Sequence, residues 1–417
     1  MDDHNPAQPP GARPPDPLSD ATSETAIPDH SPMAGSEPPS PGEAPAAGSE
    51  ADAAESHPAM AQSDDTAEST EFDSARWART TRGLTIWFAV LVTAGLGGVL
   101  LHLDELAALS SIAGLFVAAQ AADLDRQWRM LYFMLSWVVP VAGVAAFISL
   151  AFMLESAQLQ APWGSLLTGL CVGGAIASAL TLFRPFANAL AAWMFRAEQP
   201  SRTLRLAGRM VFLTLLFAIP GWFAIRTLFD SLAAQIDSLL QGASLGTGLL
   251  GYIMLAFASV GFMLRRNARE TLERLGIGRI TASHALVIAF GVLGLFALNS
   301  GADWLQRTFF HALWLEDQSV SAAIGGRLTI AGAIMLGLSA GIGEEITMRG
   351  ALQPKFGVVA TSLLFASLHV QYSWFGITVI FLLGILLGLL RKRTNTSVAM
   401  AVHALYDMVA VLSIPRG

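Results

Sequence analysis

The carboxyl-terminal part of this 417-residue chain places ionisable side chains inside segments that are otherwise apolar. They are two adjacent acids, an arginine, two histidines and a further acid, in the order Glu344, Glu345, Arg349, His369, His403 and Asp407. Carboxylates and imidazoles can take a proton from water near neutral pH, and both can bind metal ions. Because a charge inside a membrane is costly, each of these residues is expected to have a function there. The chemistry that the set predicts is hydrolysis by an activated water.

Helical spacing separates these residues by role. Glu345 and Arg349 are four residues apart with the acid first, so on a helix they can pair on one face. Glu344 lies about 100° round the helix from Glu345, outside that pair. Gly341 lies on the side of the two acids, where its missing side chain lets a neighbouring helix come close. The pair is therefore predicted to leave Glu344 less neutralised and free for another task.

His403 and Asp407 are also four residues apart, and an acid beside an imidazole fixes its tautomer and raises its basicity. Two routes to an activated water stay open. In one, a divalent metal such as zinc, held by Glu344, His369 and His403, acidifies a bound water. In the other, Glu344 and His369 act as a metal-free general base, while His403 and Asp407 donate hydrogen bonds to an oxyanion. Polar residues that only lock helices together, or a proton path in a transporter, are the alternatives.

Apolar runs of about 20 residues, long enough to cross a bilayer as helices, surround these residues. They lie at 83–103, 130–153, 163–183, 210–229, 245–264, 281–299, 328–352, 357–372, 375–390 and 396–413, with a weaker run at 106–122. The runs 357–372 and 375–390 are short for lipid-facing spans, so we expect them inside the bundle or where the membrane is thin. The sequence predicts an all-α, polytopic membrane bundle of ten or eleven spans.

The composition excludes an ordinary soluble enzyme, since only 14% of the residues are charged and 53% are hydrophobic. Residues 1–75 hold 16 of the 32 acidic residues and one of the 25 basic residues, so they carry −15 and the rest of the chain +8. This acidic segment, rich in proline and alanine, is predicted to be a disordered tail. The remainder is predicted to form an amino-terminal membrane-helix region, 76–320, and a catalytic membrane core, 321–417.

Basic residues predict the orientation of the bundle. They cluster at 184–209, 265–279 and 391–393, and by the positive-inside rule all three loops are expected on the cytoplasmic side. The arginines at 76–82 would place the amino terminus there as well, which requires eleven spans; ten spans with an external tail is the alternative. The stretch 303–318 mixes aromatic and charged residues and is expected as a helix in the outer interface.

The order of the motifs resembles a known family. EExxxR, then FxxxH, then HxxxN/D, with one unmarked span before the last, is similar to the CPBP family of CAAX prenyl endopeptidases and bacterial bacteriocin-processing or abortive-infection proteins. Here the motifs are Glu344-Glu345-Ile-Thr-Met-Arg349, Phe365-Ala-Ser-Leu-His369 and His403-Ala-Leu-Tyr-Asp407, and the unmarked span is 375–390. The resemblance covers residues 328–413 and not the upstream spans.

The resemblance implies an intramembrane endopeptidase, often labelled a metalloprotease. It assigns water activation to Glu344 and His369, oxyanion stabilisation to His403 and Asp407, and supporting roles to Glu345, Arg349 and Phe365. The best-known eukaryotic members have Asn at the position of Asp407. Asn always offers an N–H donor, whereas Asp donates only when protonated, so a metal-ligand or His-orienting role is more plausible for Asp407.

The expected partners are the lipid bilayer and a peptide or membrane-protein substrate, without nucleic acid. Only two of the 25 basic residues are lysines, and alanine and glycine are abundant, which indicates a GC-rich bacterial genome and a multi-pass protein of the inner membrane. A prenylated substrate is not expected in such a cell. A non-catalytic membrane scaffold or immunity-type protein, and a transporter with an intramembrane proton relay, are the alternative functions.

Overall fold

The structure is a computed structural model that describes residues 63–156, 163–227, 242–326 and 328–414. Within these ranges the chain forms helices and no β-strand. The first 62 residues of the predicted tail lie outside the described residues. The predicted all-α class is confirmed for the described part of the chain.

Seven helices make up the first half of the described chain. They are α1 Ser63–Leu100, α2 Asp104–Leu124, α3 Arg129–Leu135, α4 Val138–Ser156, α5 Trp163–Leu180, α6 Arg184–Phe195 and α7 Arg202–Thr227. A 3-10 turn at Arg126–Trp128 leads into α3, and this turn, α3 and α4 are continuous enough to form one candidate span.

Eight helices follow in the second half. They are α8 Gly242–Val260, α9 Ala268–Leu275, α10 Ala282–Phe309, α11 His311–Gly325, α12 Ile330–Phe356, α13 Val358–Ser367, α14 Trp374–Arg393 and α15 Thr396–Leu412. The middle of α12 is wound as two π-helical segments, Ser339–Glu344 and Ile346–Leu352.

Among the described residues, eight helical segments are long and apolar enough to cross a membrane. Three shorter apolar helices, Ser244–Val260, Val358–Ser367 and Thr396–Leu412, occupy the remaining predicted runs. Each of the eleven runs predicted from the sequence therefore contains a helix. The polytopic membrane bundle is confirmed.

Helix α1 begins at Ser63, so the described helix includes residues 63–75, which the sequence analysis placed in the tail. The boundary of the tail stays a prediction, whereas one predicted helix is wrong. The stretch 303–318 is not one helix, because α10 runs on to Phe309 and the backbone of Phe310, at φ −134° and ψ 49°, leaves the helical region before α11 starts.

Helix α2 explains why the run at 106–122 is only weakly apolar. Its most apolar window is 61% buried, against 17% for α1. It packs closely against its neighbours: a Cβ on Gly251 of α8 would lie 2.8 Å from Leu109, and one on Gly98 of α1 would lie 2.8 Å from the Ala107 nitrogen. Because α2 faces protein more than lipid, small residues replace the large apolar ones that a lipid-facing helix carries.

Helices α12 and α15 approach each other most closely at two glycines. A Cβ on Gly341 would lie 2.4 Å from the backbone nitrogen of Ala404, and one on Gly337 would lie 2.5 Å from Met408. The spacing of four residues in both helices forms a continuous small-residue contact of the kind that joins membrane helices. The predicted close approach at Gly341 is confirmed, and it brings the acids of α12 beside the histidine of α15.

The three basic loops meet at one end of the bundle. Asp123, near the end of α2, forms ion pairs of 3.3 Å with both Arg202 and Arg265, which belong to the first and second loops. The second loop reaches the third through a hydrogen bond of 2.8 Å from the Thr396 N–H to the Gly276 carbonyl. Because the three loops lie together, they can all face the same side of the membrane, as predicted. That this side is the cytoplasmic one stays a prediction.

Candidate active site

Glu344 and Arg349 of the first motif lie in the two π-helical segments of α12, and Glu345 lies between those segments. π-helical turns are rare, widen the backbone and occur frequently at functional sites. Gly343, within the first of them, packs against the ring of Tyr252 on α8, where an added Cβ would lie 2.9 Å from a ring carbon. Gly341 and Gly343, which both precede Glu344, therefore let α15 and α8 pack closely against this segment.

Glu345 and Arg349 form a fully buried ion pair, with 3.1 Å between Oε1 and Nη1 and no exposure of either side chain. Arg349 also donates from Nη2 to the Gly384 carbonyl of α14 at 3.2 Å. Its guanidinium lies 4.6 Å above the ring of Phe365 on α13. The predicted pairing is present, and it joins three of the last four helices at one point.

His403 lies between two carboxylates. Its Nδ1 is 3.0 Å from Glu345 Oε1, and its Nε2 is 3.3 Å from Asp407 Oδ2. A neutral imidazole can donate from one nitrogen only. Both contacts are satisfied either by an imidazolium cation or by a neutral ring beside a protonated Asp407. His403 and Asp407 therefore share one mobile proton. The two residues lie on the same face of α15, as predicted.

His369 lies in the turn that follows α13, and not on a membrane helix as the run 357–372 predicted, because α13 ends at Ser367. Its Nδ1 lies 2.9 Å from the Phe365 carbonyl oxygen, which can only accept. Nδ1 therefore carries the proton, and Nε2 keeps its lone pair. The Phe365 ring lies 4.8 Å from the ring of His369 and 6.0 Å from that of His403, so it fixes both imidazoles.

Glu344 is half-buried and has no hydrogen bond to another side chain among the residues that the structure describes. It interacts electrostatically with His403, Glu345 and Arg349. Its separation from the Glu345–Arg349 pair is as predicted. Glu344 and the Nε2 of His369 are thus the two proton acceptors of this group that the fold leaves unpaired.

Two residues from the upstream region reach the site, and the sequence analysis missed both. The hydroxyl of Tyr252 on α8 is hydrogen-bonded to the carboxylate of Glu105 on α2, and both interact electrostatically with Glu344. Glu105 rests on α8 at Gly248, where an added Cβ would lie 2.5 Å from a carboxylate oxygen. The position of Glu105, directly before a weakly apolar run, was the signal that could have found it.

The turn that carries His369 is fixed by helices outside the motifs. The Tyr372 carbonyl accepts hydrogen bonds from Trp222 Nε1 at 2.8 Å and from Arg226 at 3.2 Å, both on α7. Asp317 of α11 accepts from the backbone N–H and the hydroxyl of Ser373, each at 2.6 Å. Burial raises the pKa of Tyr372 to about 12, so its phenol stays neutral. None of these residues belongs to a motif. Because their contacts join distant parts of the chain, no local sequence pattern predicts them.

Glu344, His369 and His403 are the residues that the sequence suggests as metal ligands. Within the described ranges, no three His, Cys, Asp or Glu residues are grouped so that they could hold a metal ion. The geometry gives a reason, because both ring nitrogens of His403 already contact carboxylates. Glu344, His369 and His403 as placed therefore do not supply three free donors.

Residues 326–409 match a family model described as type II CAAX prenyl endopeptidase Rce1-like. The uncharacterized protein YpbD of Bacillus subtilis (strain 168) is 28% identical over 165 residues, which make up 39% of this chain and 84% of YpbD. No solved structure matches the chain significantly. The family match contains all of the motif residues described above. Residues 326–409 of this chain are therefore similar to the Rce1-like family of type II CAAX prenyl endopeptidases.

Proposed function

We propose that this protein is an intramembrane endopeptidase that hydrolyses a peptide bond with a water activated by Glu344 and His369. One observation carries the proposal. Every other charged residue of the three motifs is held in an ion pair, whereas Glu344 and the Nε2 of His369 are left without one. Two unpaired bases beside a fixed network of charges are what general-base catalysis requires.

In the proposed reaction, Glu344 takes a proton from the water as its oxygen bonds to the scissile carbonyl carbon. His369 accepts the hydrogen bond from that water through Nε2, since its Nδ1 is committed to the Phe365 carbonyl. The carbonyl oxygen becomes an oxyanion. The proton held by Glu344 then passes to the leaving nitrogen as the carbon–nitrogen bond breaks, which releases two peptide fragments and restores the carboxylate.

His403 and Asp407 are proposed to stabilise the oxyanion. The longer of the two His403 contacts, 3.3 Å from Nε2 to Asp407, is to the partly exposed carboxylate, while the contact to Glu345 is fully buried. Nε2 is therefore the nitrogen that can turn its proton towards a substrate. Glu345 and Arg349 hold the imidazole in place and stay paired throughout. Donors fixed before the reaction stabilise a developing charge most effectively.

A divalent metal such as zinc would supply an acidified water in place of the general base. The proposed reaction has no metal step, because among the described residues Glu344, His369 and His403 do not offer three free donors. Metal analysis of the purified protein, combined with chelator treatment during cleavage, decides between the routes. The general-base route expects chelator-resistant cleavage; one tightly bound metal per chain with chelator-sensitive cleavage would overturn it.

The central experiment measures cleavage of a membrane-spanning peptide by the purified full chain in lipid vesicles. Glu344→Ala and His369→Ala should each lower kcat by about 10² to 10⁴-fold, the range for loss of a general base. Helicity and thermal unfolding should stay close to wild type, because neither side chain takes part in the paired network. Turnover at the wild-type rate in either variant would contradict the mechanism, and unfolding of both would favour a helix-locking role.

A second candidate function is proton-coupled transport. It is favoured by a row of interacting polar groups, Glu105, Tyr252 and Glu344, which extends from the site to the upstream helices α2 and α8. Proton flux into liposomes that disappears in Glu344→Gln, without peptide cleavage, would establish it. A non-catalytic scaffold would show neither activity. We place the protein in a bacterial inner membrane on its arginine-rich, lysine-poor composition, with a peptide or membrane protein as substrate.

A further inference from the structure

A cavity lies outside the active site, at the arginine-rich end of the bundle. Its volume is about 410 Å³, within the range of small-molecule sites. It is enclosed by α3, α6 and the start of α7, and none of its lining residues belongs to 326–409. Five of them are arginines: Arg129, Arg184, Arg202, Arg205 and Arg209.

Most of this positive charge has no acidic partner among the described residues. Asp123 forms an ion pair with Arg202, and a second one with Arg265, which does not line the cavity. Arg205 donates only to neutral oxygens, those of Asn188 and Pro200, at 3.1 and 3.0 Å. Arg184 lies 5.8 Å from the centre of the Phe133 ring. Arg205 also interacts electrostatically with Asp123. Three arginines, Arg129, Arg184 and Arg209, therefore face one cavity without a carboxylate partner among the described residues.

Arg209 lies deepest. It is only 7% exposed, its one hydrogen bond is a long contact of 3.4 Å to the Ser136 carbonyl, and its Nε has no partner. A buried cation without a counter-charge is strongly unfavourable. Such an arrangement is stable when a bound anion supplies the missing charge, and the guanidinium fork matches the oxygens of a phosphate.

The surroundings of the cavity indicate where that phosphate comes from. On α3, Phe133 lines the cavity while Met130 and Met134 project outward, and all three are exposed. Apolar side chains on a membrane helix face acyl chains, and basic pockets at this level bind anionic lipid headgroups. We propose that this cavity binds the phosphate of an anionic phospholipid, with the acyl chains along the outer face of α3.

The test uses the full chain in detergent, titrated with short-chain phosphatidylglycerol, with phosphatidylcholine of the same chain length, and with inorganic phosphate. Native mass spectrometry measures the bound fraction. Phosphatidylglycerol should bind at least tenfold more tightly than phosphatidylcholine, whose choline would meet the arginines. Inorganic phosphate should compete only weakly; binding of it as tight as that of the lipid would mean a soluble phosphate is the ligand and would overturn the lipid assignment.

Two variants test the arginines. Each basic residue near a membrane surface accounts for about a fivefold change in affinity for anionic lipid. Arg129→Gln combined with Arg184→Gln should therefore weaken phosphatidylglycerol binding by about 25-fold. Both residues are exposed, so the double variant should fold normally. Arg209→Gln tests the deep position, and the double variant decides the question even if Arg209→Gln fails to fold.

Arg126→Gln is the matched control, because Arg126 is exposed on the turn before α3 and does not line the cavity. It should leave lipid binding within about twofold of wild type, since only charges close to the lipid contribute. An equal loss in the control and the double variant would show diffuse attraction and would overturn the proposal. Displacement of the lipid by an acidic peptide at similar affinity would do so as well, because it would assign the cavity to a protein segment.

Discussion

Arg349 and Arg209 are both arginines buried within the membrane bundle, but their surroundings are opposite. Arg349, in the active-site domain, has Glu345, the Gly384 carbonyl and the Phe365 ring around its guanidinium. Arg209, in the upstream region, has one long hydrogen bond to a carbonyl and no carboxylate partner among the described residues. The Nε atoms of both arginines lack a hydrogen-bond partner, so the difference between the two is the Glu345 carboxylate beside Arg349. A buried arginine paired with a carboxylate suits the proposed role of holding His403 in place, whereas one without a carboxylate suits the proposed role of binding an anion.

The largest effect expected from this comparison is on stability. Arg349→Met should lower the free energy of unfolding by about 3–5 kcal/mol, because it leaves the Glu345 carboxylate buried without its cation. Arg209→Met in lipid-free detergent should be neutral or stabilising, because it removes a buried charge that nothing neutralises. Thermal or denaturant unfolding of both variants measures the difference. Equal destabilisation by the two substitutions would break the comparison.

Close packing around the acids predicts the next effect. Gly341→Ala would place a Cβ 2.4 Å from the Ala404 nitrogen, so α12 and α15 must separate, at a cost of about 1–3 kcal/mol. Cleavage should fall as well, since His403 lies on α15. Gly294→Ala is the matched control, because its Cβ would have nothing within 4 Å, and it should be neutral or slightly stabilising. Matching effects at the two glycines would show that the crossing is not critical.

Substitutions of Asp407, at the exposed edge of the network, distinguish between two roles for this residue: orienting His403 and binding a metal. Asp407→Asn should keep peptide cleavage within about tenfold of wild type, because the amide oxygen still accepts from His403 Nε2 and the amide N–H is a permanent donor. Asp407→Ala should lower kcat by about 10 to 100-fold, as expected for loss of a residue that orients a histidine. If Asp407 binds a metal instead, Asn should be nearly as damaging as Ala and bound metal should fall in both variants.

The predictions that the structure confirmed rest on the spacing of residues within single helices. The Glu345–Arg349 pair and the facing of His403 and Asp407 follow from four-residue separations on helices, and Gly341 from its missing side chain. The sequence could not place His369 beyond the end of α13, because apolar residues continue through the turn. It also could not reveal Glu105 or Tyr252, whose contact with the site joins helices far apart in the chain. The arginines at 184–209 gave an orientation signal, but their convergence on one cavity depends on how α3, α6 and α7 pack.

The smallest effect concerns the connection between the two regions. Trp222→Phe keeps the ring but removes the hydrogen bond of 2.8 Å to the Tyr372 carbonyl, which holds the turn that carries His369. A hydrogen bond of this kind contributes about 0.5–1.5 kcal/mol, so kcat should fall by about two- to tenfold while stability changes little. Trp193→Phe is the control, because Trp193 is 79% exposed on α6, and it should not change cleavage. If Trp222→Phe also leaves kcat unchanged, the motif helices position His369 without help, and the upstream region is independent of catalysis at this contact.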